Sequence, residues 1–205
     1  MVIYRCEVVR RMKIGENGLK NLEPGIIISV TKSPKTNVEA AWPLLMDAME
    51  SFGIASPLVQ VGMAATIAME SHTFLPVQEK HSRDADSALW RAQERYWPSG
   101  YYGRGYIQLT WADNYREAAD ALDVDLYGKP DLAMEPGVAA GIAAWFFRTR
   151  SVGGGDSRRI FKACEDGDWR AVRRGINGPN FASDLAVLNR YLKWCMDLQG
   201  AIWEA

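Results

Sequence analysis

Apolar residues recur at the spacing of an α-helix over most of the chain. The clearest case is the segment that contains Leu58, Val61 and Ala65, whose side chains share one helical face. It opens with Ser56 and Pro57, a capping residue and a first-turn proline, which are typical of a helix start. We predict a helix from there to about residue 71. By the same criteria we predict further helices over residues 38–52, 86–96, 114–122, 136–148, 156–164, 168–174 and 183–199.

The first part of the chain has a different pattern. Residues 2–9 and 26–30 are rich in β-branched side chains, and Gly- and Pro-containing turn signals separate the two runs. We therefore predict that residues 1–36 form a strand-like appendage or arm. Residues 37–205 are predicted to form one helical domain with long loops in its middle, in which residues 106–110 are extended.

The composition fits a single domain and argues against nucleic-acid binding. The 205 residues are 48% hydrophobic, which is enough to bury a full core. The net charge is −1, whereas a nucleic-acid binder usually carries a basic excess. One local excess exists, because residues 148–174 hold eight Lys or Arg against four Asp or Glu. These cations either line solvated helix faces or contact an anionic polymer.

Cysteine and histidine usage points to neither disulfides nor a metal. The three cysteines Cys6, Cys164 and Cys195 are odd in number and widely spaced, which gives no disulfide framework. The chain has no C-x-x-C or H-E-x-x-H motif, so we expect no metal and no cofactor. No stretch approaches the roughly 20 apolar residues that a membrane span needs.

Two glutamates are candidates for acid–base chemistry. Glu70 ends the predicted apolar helix, where nearby buried surface and the negative end of the helix dipole both favour a carboxyl group that keeps its proton. Glu79 follows nine residues later, after Pro76. If Pro76 ends the helix, the chain can turn and place Glu79 across a cleft from Glu70. Glycoside hydrolysis uses two carboxyl groups that flank the scissile bond. Taken alone, however, two such glutamates are also typical of an ordinary protein surface.

A polar and aromatic segment changes this balance. Residues 101–115 read YYGRGYIQLTWADNY. Aromatic side chains suit the faces of sugar rings, and Gln, Thr and Asn supply hydrogen bonds for hydroxyl and acetamido groups. Arg104, between two glycines, is interpreted as a buried partner of a carboxylate, with a substrate clamp as the alternative.

This segment resembles the central motif of glycoside hydrolase family 19, which includes chitinases and phage endolysins. The motif Y-Y-G-R-G-x-I-Q-L-[ST]-x-x-x-N-Y is matched in full, and the resemblance extends over roughly residues 40–200. Met69-Glu70-Ser71 stands where the family has H-E-[ST]. The resemblance implies a mainly α, lysozyme-like helical domain with long central loops.

The resemblance also implies a role for each matching residue. Glu70 would be the general acid, Glu79 the general base that activates water, and Thr110 a residue that helps to hold that water. The family inverts the anomeric carbon, which suits two separated carboxyl groups. The residues that would line the sugar cleft are Tyr102, Gln108, Asn114 and Asn177.

Two departures and one rival residue stay open. Pro179 replaces the second glycine of the family's I-N-G-G stretch, and the last helix lacks the Asp-Arg pair that family members often carry. Contacts from that helix to substrate are therefore in doubt. Glu94, in a Gln-Glu-Arg stretch like that of long-loop relatives, is the rival base. Glu79 is preferred for its nine-residue spacing from Glu70.

The resemblance fits a monomeric enzyme that cuts a β-1,4-linked amino-sugar polymer. Peptidoglycan is preferred over chitin as the substrate. No secretory signal is evident, and the sequences of the motifs are similar to those of phage lysins. We expect an endolysin that is made in the host cytoplasm without a signal peptide and acts on the cell wall after release. A non-catalytic glycan-binding relative and a purely structural helical protein are the alternatives from other classes.

Overall fold

The computed structural model describes residues 18–178 and 182–203. Over these residues the chain is mainly α-helical, as the sequence predicted. The helices are α1 (Pro24–Thr31), α2 (Lys35–Ser51), α3 (Pro57–Ser71), α4 (Ala88–Gln93), α5 (Ala112–Leu122), α6 (Pro136–Thr149), α7 (Ile160–Glu165), α8 (Trp169–Asn177) and α9 (Leu185–Ala201). The chain also has two antiparallel strand pairs. β1 (Val77–Gln78) pairs with β2 (Arg104–Gly105), and β3 (Ser151–Gly153) pairs with β4 (Asp156–Arg159).

Helix α3 runs through the centre of the core. Ser56 caps it, since its side chain accepts a hydrogen bond from the Val59 amide. All of its residues from Leu58 to Met69 are buried, including Gln60 and Thr66. Helices α7 and α9 pack against it, while α2 packs on α6. A helix buried on every side is rigid, and it carries Glu70 in its last turn.

The packing of α3 against α7 depends on Gly62. A Cβ atom at Gly62 would lie 2.5 Å from the sulfur of Cys164. Cys164 of α7 and Cys195 of α9 are free and fully buried in this region. Burial raises the pKa of both thiols well above the usual value.

The predicted N-terminal appendage differs from the structure in its described part. Residues 26–30 were predicted as strand-like but lie in α1, which Pro24 starts in the first turn. Ile27 is fully buried, and the Trp42 indole donates a hydrogen bond to the Leu22 carbonyl at 2.9 Å. Burial of one apolar stripe outweighs the weak strand preference of β-branched residues. Residues 1–17 lie outside the described part, so the boundary at residue 36 stays a prediction for them.

Three other local predictions were wrong. Residues 156–159 were predicted as the start of a helix but form β4, which pairs with β3 across the three-glycine turn. Residues 106–110 were predicted as extended, but the extended pair is Arg104–Gly105, and Leu109 meets Arg104 in an isolated bridge. The last helix was predicted to end at residue 199, yet α9 continues to Ala201.

Candidate active site

Glu70 stands in the last turn of α3 and pairs with a cation from another helix. Its side chain is 17% exposed and accepts a short hydrogen bond from Arg173 of α8. His72 ends α3 in the left-handed region at φ 55°, and the Ser71 hydroxyl accepts the Phe74 amide at 2.9 Å. The chain therefore leaves the helix after Ser71, one residue beyond Glu70. The sequence predicted a helix end at about this residue.

Arg173 is a residue of this site that the sequence did not reveal. Its side chain is only 7% exposed, and its guanidinium lies 5.4 Å from the centre of the Tyr191 ring of α9. The Nε atom is buried and has no hydrogen-bond partner among the described residues. The guanidinium thus places a positive charge directly beside the Glu70 carboxyl group. Nothing in the run of arginines 170–174 singled out this member.

Glu79 is positioned by the pairing of β1 with β2. Val77 pairs with Gly105 and Gln78 with Arg104, and the Glu79 amide then donates to the Gly103 carbonyl at 2.8 Å. A Cβ atom at Gly103 would lie 3.1 Å from Glu79 Oε2 and 2.9 Å from Gln108 Oε1, so a larger residue would push these side chains aside. Gly103 thus lets the backbone approach the carboxylate closely.

Three donors hold the carboxylate of Glu79. Oε1 accepts hydrogen bonds from Gln93 Nε2 at 2.9 Å and from the Tyr96 hydroxyl at 2.7 Å. Oε2 accepts one from the Gly103 amide at 3.0 Å. A carboxylate offers about four acceptor positions. Glu79 therefore has one acceptor position left, on Oε2.

Gln93 and Tyr96 are also residues that the sequence did not assign to the site. Gln93 is fully buried, donates to the Lys80 carbonyl at 2.9 Å and accepts from the Ser82 amide at 2.7 Å, so it also fixes the segment after Glu79. Burial and the neighbouring Glu79 raise the pKa of Tyr96 above its ordinary value, so its hydroxyl remains a donor. The Gln-Glu-Arg stretch was noted in the sequence, but only its glutamate, Glu94, was considered as a site residue.

Glu94, the rival base, lies in a different setting. It follows α4, is 38% exposed and pairs with His81 at 3.0 Å. The His81 ring also lies 4.4 Å from the Trp97 ring. An exposed hydrogen bond of this kind fits a surface role.

Three of the predicted site residues, Gln108, Thr110 and Asn114, are linked to one another by hydrogen bonds. Asn114 donates to the Thr110 carbonyl at 2.7 Å, and the Thr110 hydroxyl donates to the Gln108 carbonyl at 2.8 Å. The Gln108 amide donates to the Val77 carbonyl, also at 2.8 Å, and to the Gly105 carbonyl at 3.2 Å. Both donors of the Gln108 amide are used within the chain, so its predicted contact with sugar would depend on its oxygen atom. Asn114 Oδ1 already accepts from Arg150 at 2.8 Å.

Tyr102 and Arg104 support the same region. The Tyr102 ring stacks on Trp97 at 4.2 Å, and the Arg104 guanidinium lies 3.9 Å from its centre. Arg104 is 3% exposed and pairs with Asp131 at 2.9 Å. This confirms the interpretation of Arg104 as a buried partner of a carboxylate, which is Asp131 rather than a candidate catalytic glutamate.

Asn177 stands apart from this cluster. It is the last residue of α8, four positions after Arg173, and its side chain is exposed. Pro179, where the motif departs from the family, lies outside the described residues. A cavity of about 630 Å³ is lined by Arg116, Asp123 and Tyr127, among others, and by none of the predicted site residues. It therefore says nothing about the predicted cleft.

Neither a metal site nor a membrane-spanning helix is found in the described ranges 18–178 and 182–203. No group of three or more His, Cys, Asp or Glu residues there is placed to hold a metal ion. No helix in those ranges is long and apolar enough to span a membrane.

Comparison with known protein families decides the relationship. Residues 63–169, just over half of the chain, match the family described as chitinase class I of glycoside hydrolase family 19. The chain belongs to glycoside hydrolase family 19. The matched range contains Glu70, Glu79 and the whole central motif, which confirms the resemblance seen in the sequence.

Curated relatives of this family 19 chain are plant chitinases. Chitinase 11 of Oryza sativa subsp. japonica is 54% identical over 50 residues, which are 24% of this chain and 20% of that protein. An endochitinase of Arabidopsis thaliana is 35% identical over 100 residues, which are 48% of this chain and 34% of that protein. The matches thus span only a fifth to a third of those relatives.

Solved structures share the fold over most of the chain. A bacterial family 19 chitinase superposes with a TM-score of 0.64 at 21% identity, covering 86% of this chain and 94% of that one. Chitinase C from Streptomyces griseus HUT6037 superposes with a TM-score of 0.62 at 18% identity, covering 90% and 79%. These likenesses confirm the predicted mainly α, lysozyme-like fold.

Proposed function

We propose that this family 19 protein is a glycoside hydrolase that cuts the β-1,4-linked amino-sugar backbone of peptidoglycan. The observation that supports it best is the environment of Glu79. Three donors fix the direction of its carboxylate, and one acceptor position on Oε2 remains for the proton of an attacking water. A general base needs such a defined direction toward the proton that it takes.

Glu70 would supply the proton to the glycosidic oxygen. Arg173 would stabilise the carboxylate that the transfer leaves behind. Because Glu70 and Glu79 belong to separate sets of hydrogen bonds, we infer two separated carboxyl groups and inversion at the anomeric carbon. Thr110 would help to position the water.

Substitution of each glutamate by glutamine tests this assignment. Removing a general acid or base costs roughly 10²–10⁴-fold in rate, so Glu70→Gln and Glu79→Gln should each lose nearly all hydrolysis of purified peptidoglycan. Glu94→Gln is the matched control and should retain most of it. The measurement is the release of reducing ends, with circular dichroism to verify folding. An active Glu70→Gln enzyme would refute the assignment, and a larger loss in Glu94→Gln would move the base to Glu94.

Chitin is the second candidate substrate. Two curated relatives that are 54% and 50% identical over 50 residues are named chitinases, which favours a polymer of N-acetylglucosamine. Mass spectrometry of digestion products distinguishes the substrates, because new reducing ends on N-acetylmuramic acid arise only from peptidoglycan. We further propose that the enzyme is an endolysin of the phage type, acts as a monomer, and reaches the wall after release from the cell that makes it.

A further inference from the structure

The charges of residues 148–174 are sorted in space. Arg158 of β4 gathers three of the four carboxylates of this stretch, with oxygen atoms at 2.6–2.8 Å from its guanidinium nitrogens. These carboxylates belong to Asp156, Asp166 and Asp168. A single arginine thus collects most of the negative charge of this stretch at one place, while Arg150 and Arg173 pair with Glu117 and Glu70 from outside it.

Three exposed cations meet on the surface around Phe161, and we call Arg148, Arg159 and Lys162 the Phe161 cation cluster. The Arg148 guanidinium lies 4.8 Å from the centre of the Phe161 ring, and the Lys162 ammonium lies 5.0 Å from it. Arg159 donates to the carbonyl of Thr149, the residue after Arg148. The cluster combines residues from α6, β4 and α7.

The cluster is held in place before any ligand arrives. Attraction to the Phe161 ring restrains Arg148 and Lys162, and the bond to the backbone restrains Arg159. Glu165 pairs with Lys162 at 2.7 Å and is the one carboxylate of this stretch that Arg158 does not bind. Three cations against one carboxylate leave a positive surface, and restrained side chains lose less freedom when they bind.

We propose that the Phe161 cation cluster binds the carboxylate groups of the stem peptides of peptidoglycan. This inference rests on the proposed function and narrows it, because a chitin chain is uncharged whereas peptidoglycan carries a carboxylate-bearing peptide beside the glycan. Positive surfaces raise the local concentration of an anionic polymer and speed its association. The cluster would therefore hold the wall while the glycan enters the active site.

A sedimentation assay with insoluble polymers tests this binding without catalysis. All proteins carry Glu70→Gln, so that the polymer stays intact. The cluster variant adds Arg148→Gln, Arg159→Gln and Lys162→Gln. The control variant adds Lys35→Gln, Arg116→Gln and Lys193→Gln, which remove the same charge from exposed cations elsewhere. The probes are peptidoglycan sacculi stripped of phosphate polymers, unstripped walls, and chitin.

We expect the cluster variant to bind stripped sacculi roughly tenfold more weakly than the control variant, with the difference shrinking as ionic strength rises from about 0.05 M to about 0.5 M. A charge-retaining variant with Arg148→Lys and Arg159→Lys should bind like the parent. Equal binding of the cluster and control variants, or a difference seen only with unstripped walls, would overturn the proposal. So would stronger binding of the parent to chitin than to sacculi. Because no turnover is measured, these outcomes stand apart from the glutamate tests.

Discussion

Glu79 illustrates how a site is completed by residues distant in sequence. Its spacing from Glu70 and its place after Pro76 made it readable from the sequence. Its donors Gln93 and Tyr96 were not readable, because they reach it only after the segment 80–92 has looped back. Arg173 was still less accessible, since it comes from a helix about a hundred residues away.

The Tyr96 hydroxyl gives a prediction for activity. Tyr96→Phe removes one of the three donors that direct the Glu79 carboxylate. A hydrogen bond to a charged group is worth roughly 1.5–3 kcal/mol. Since 1.36 kcal/mol corresponds to about tenfold in rate, kcat should fall about ten- to a hundredfold. The measurement is kcat on soluble glycan fragments.

Tyr101→Phe is the control for this change. It also removes a tyrosine hydroxyl, but one that donates to the Tyr127 carbonyl rather than to Glu79. Its kcat should equal that of the parent. An unchanged kcat for Tyr96→Phe would show that the Tyr96 hydroxyl does not position Glu79 for the rate-limiting step.

At the scale of elements, caps and periodicity located most helices. Ser56 and Pro57 fixed the start of α3, and Pro136 fixed that of α6. The failures have a common cause: local preference was outweighed by packing. The β-branched run of α1 is helical because Ile27 is buried. Residues 156–159 form the strand β4 because they pair with β3.

Two glycines in helices should respond in opposite ways to alanine. Gly62→Ala places a Cβ atom 2.5 Å from Cys164 in a full core, which typically costs about 1–3 kcal/mol of the free energy of unfolding. Gly200→Ala meets nothing within 4 Å near the end of α9, and alanine is preferred there by about 0.5–1 kcal/mol. Urea denaturation measures both. A stable Gly62→Ala protein would mean that α3 and α7 can move apart freely.

At the scale of the whole molecule, α1 contributes Ile27 to the hydrophobic core that the other helices share. Ile27→Ala removes a fully buried side chain and should lower the free energy of unfolding by about 2–5 kcal/mol. Ser29→Ala, on the exposed face of the same helix, should leave it unchanged. Thermal unfolding of the catalytic domain is the measurement. An unaffected midpoint in Ile27→Ala would restore the appendage that the sequence predicted.

The two buried cysteines, Cys164 and Cys195, allow the rate at which the molecule opens to be measured by chemical labelling. Thiol-modifying reagents attack the thiolate, and in Cys164 and Cys195 both solvent access and deprotonation are suppressed as long as α7 and α9 stay closed over α3. Once Cys6 is replaced by serine, each alkylated chain records one excursion from the native state. The pace of labelling then reports how long an enzyme molecule survives, even within a turbid suspension of walls where optical probes of unfolding fail.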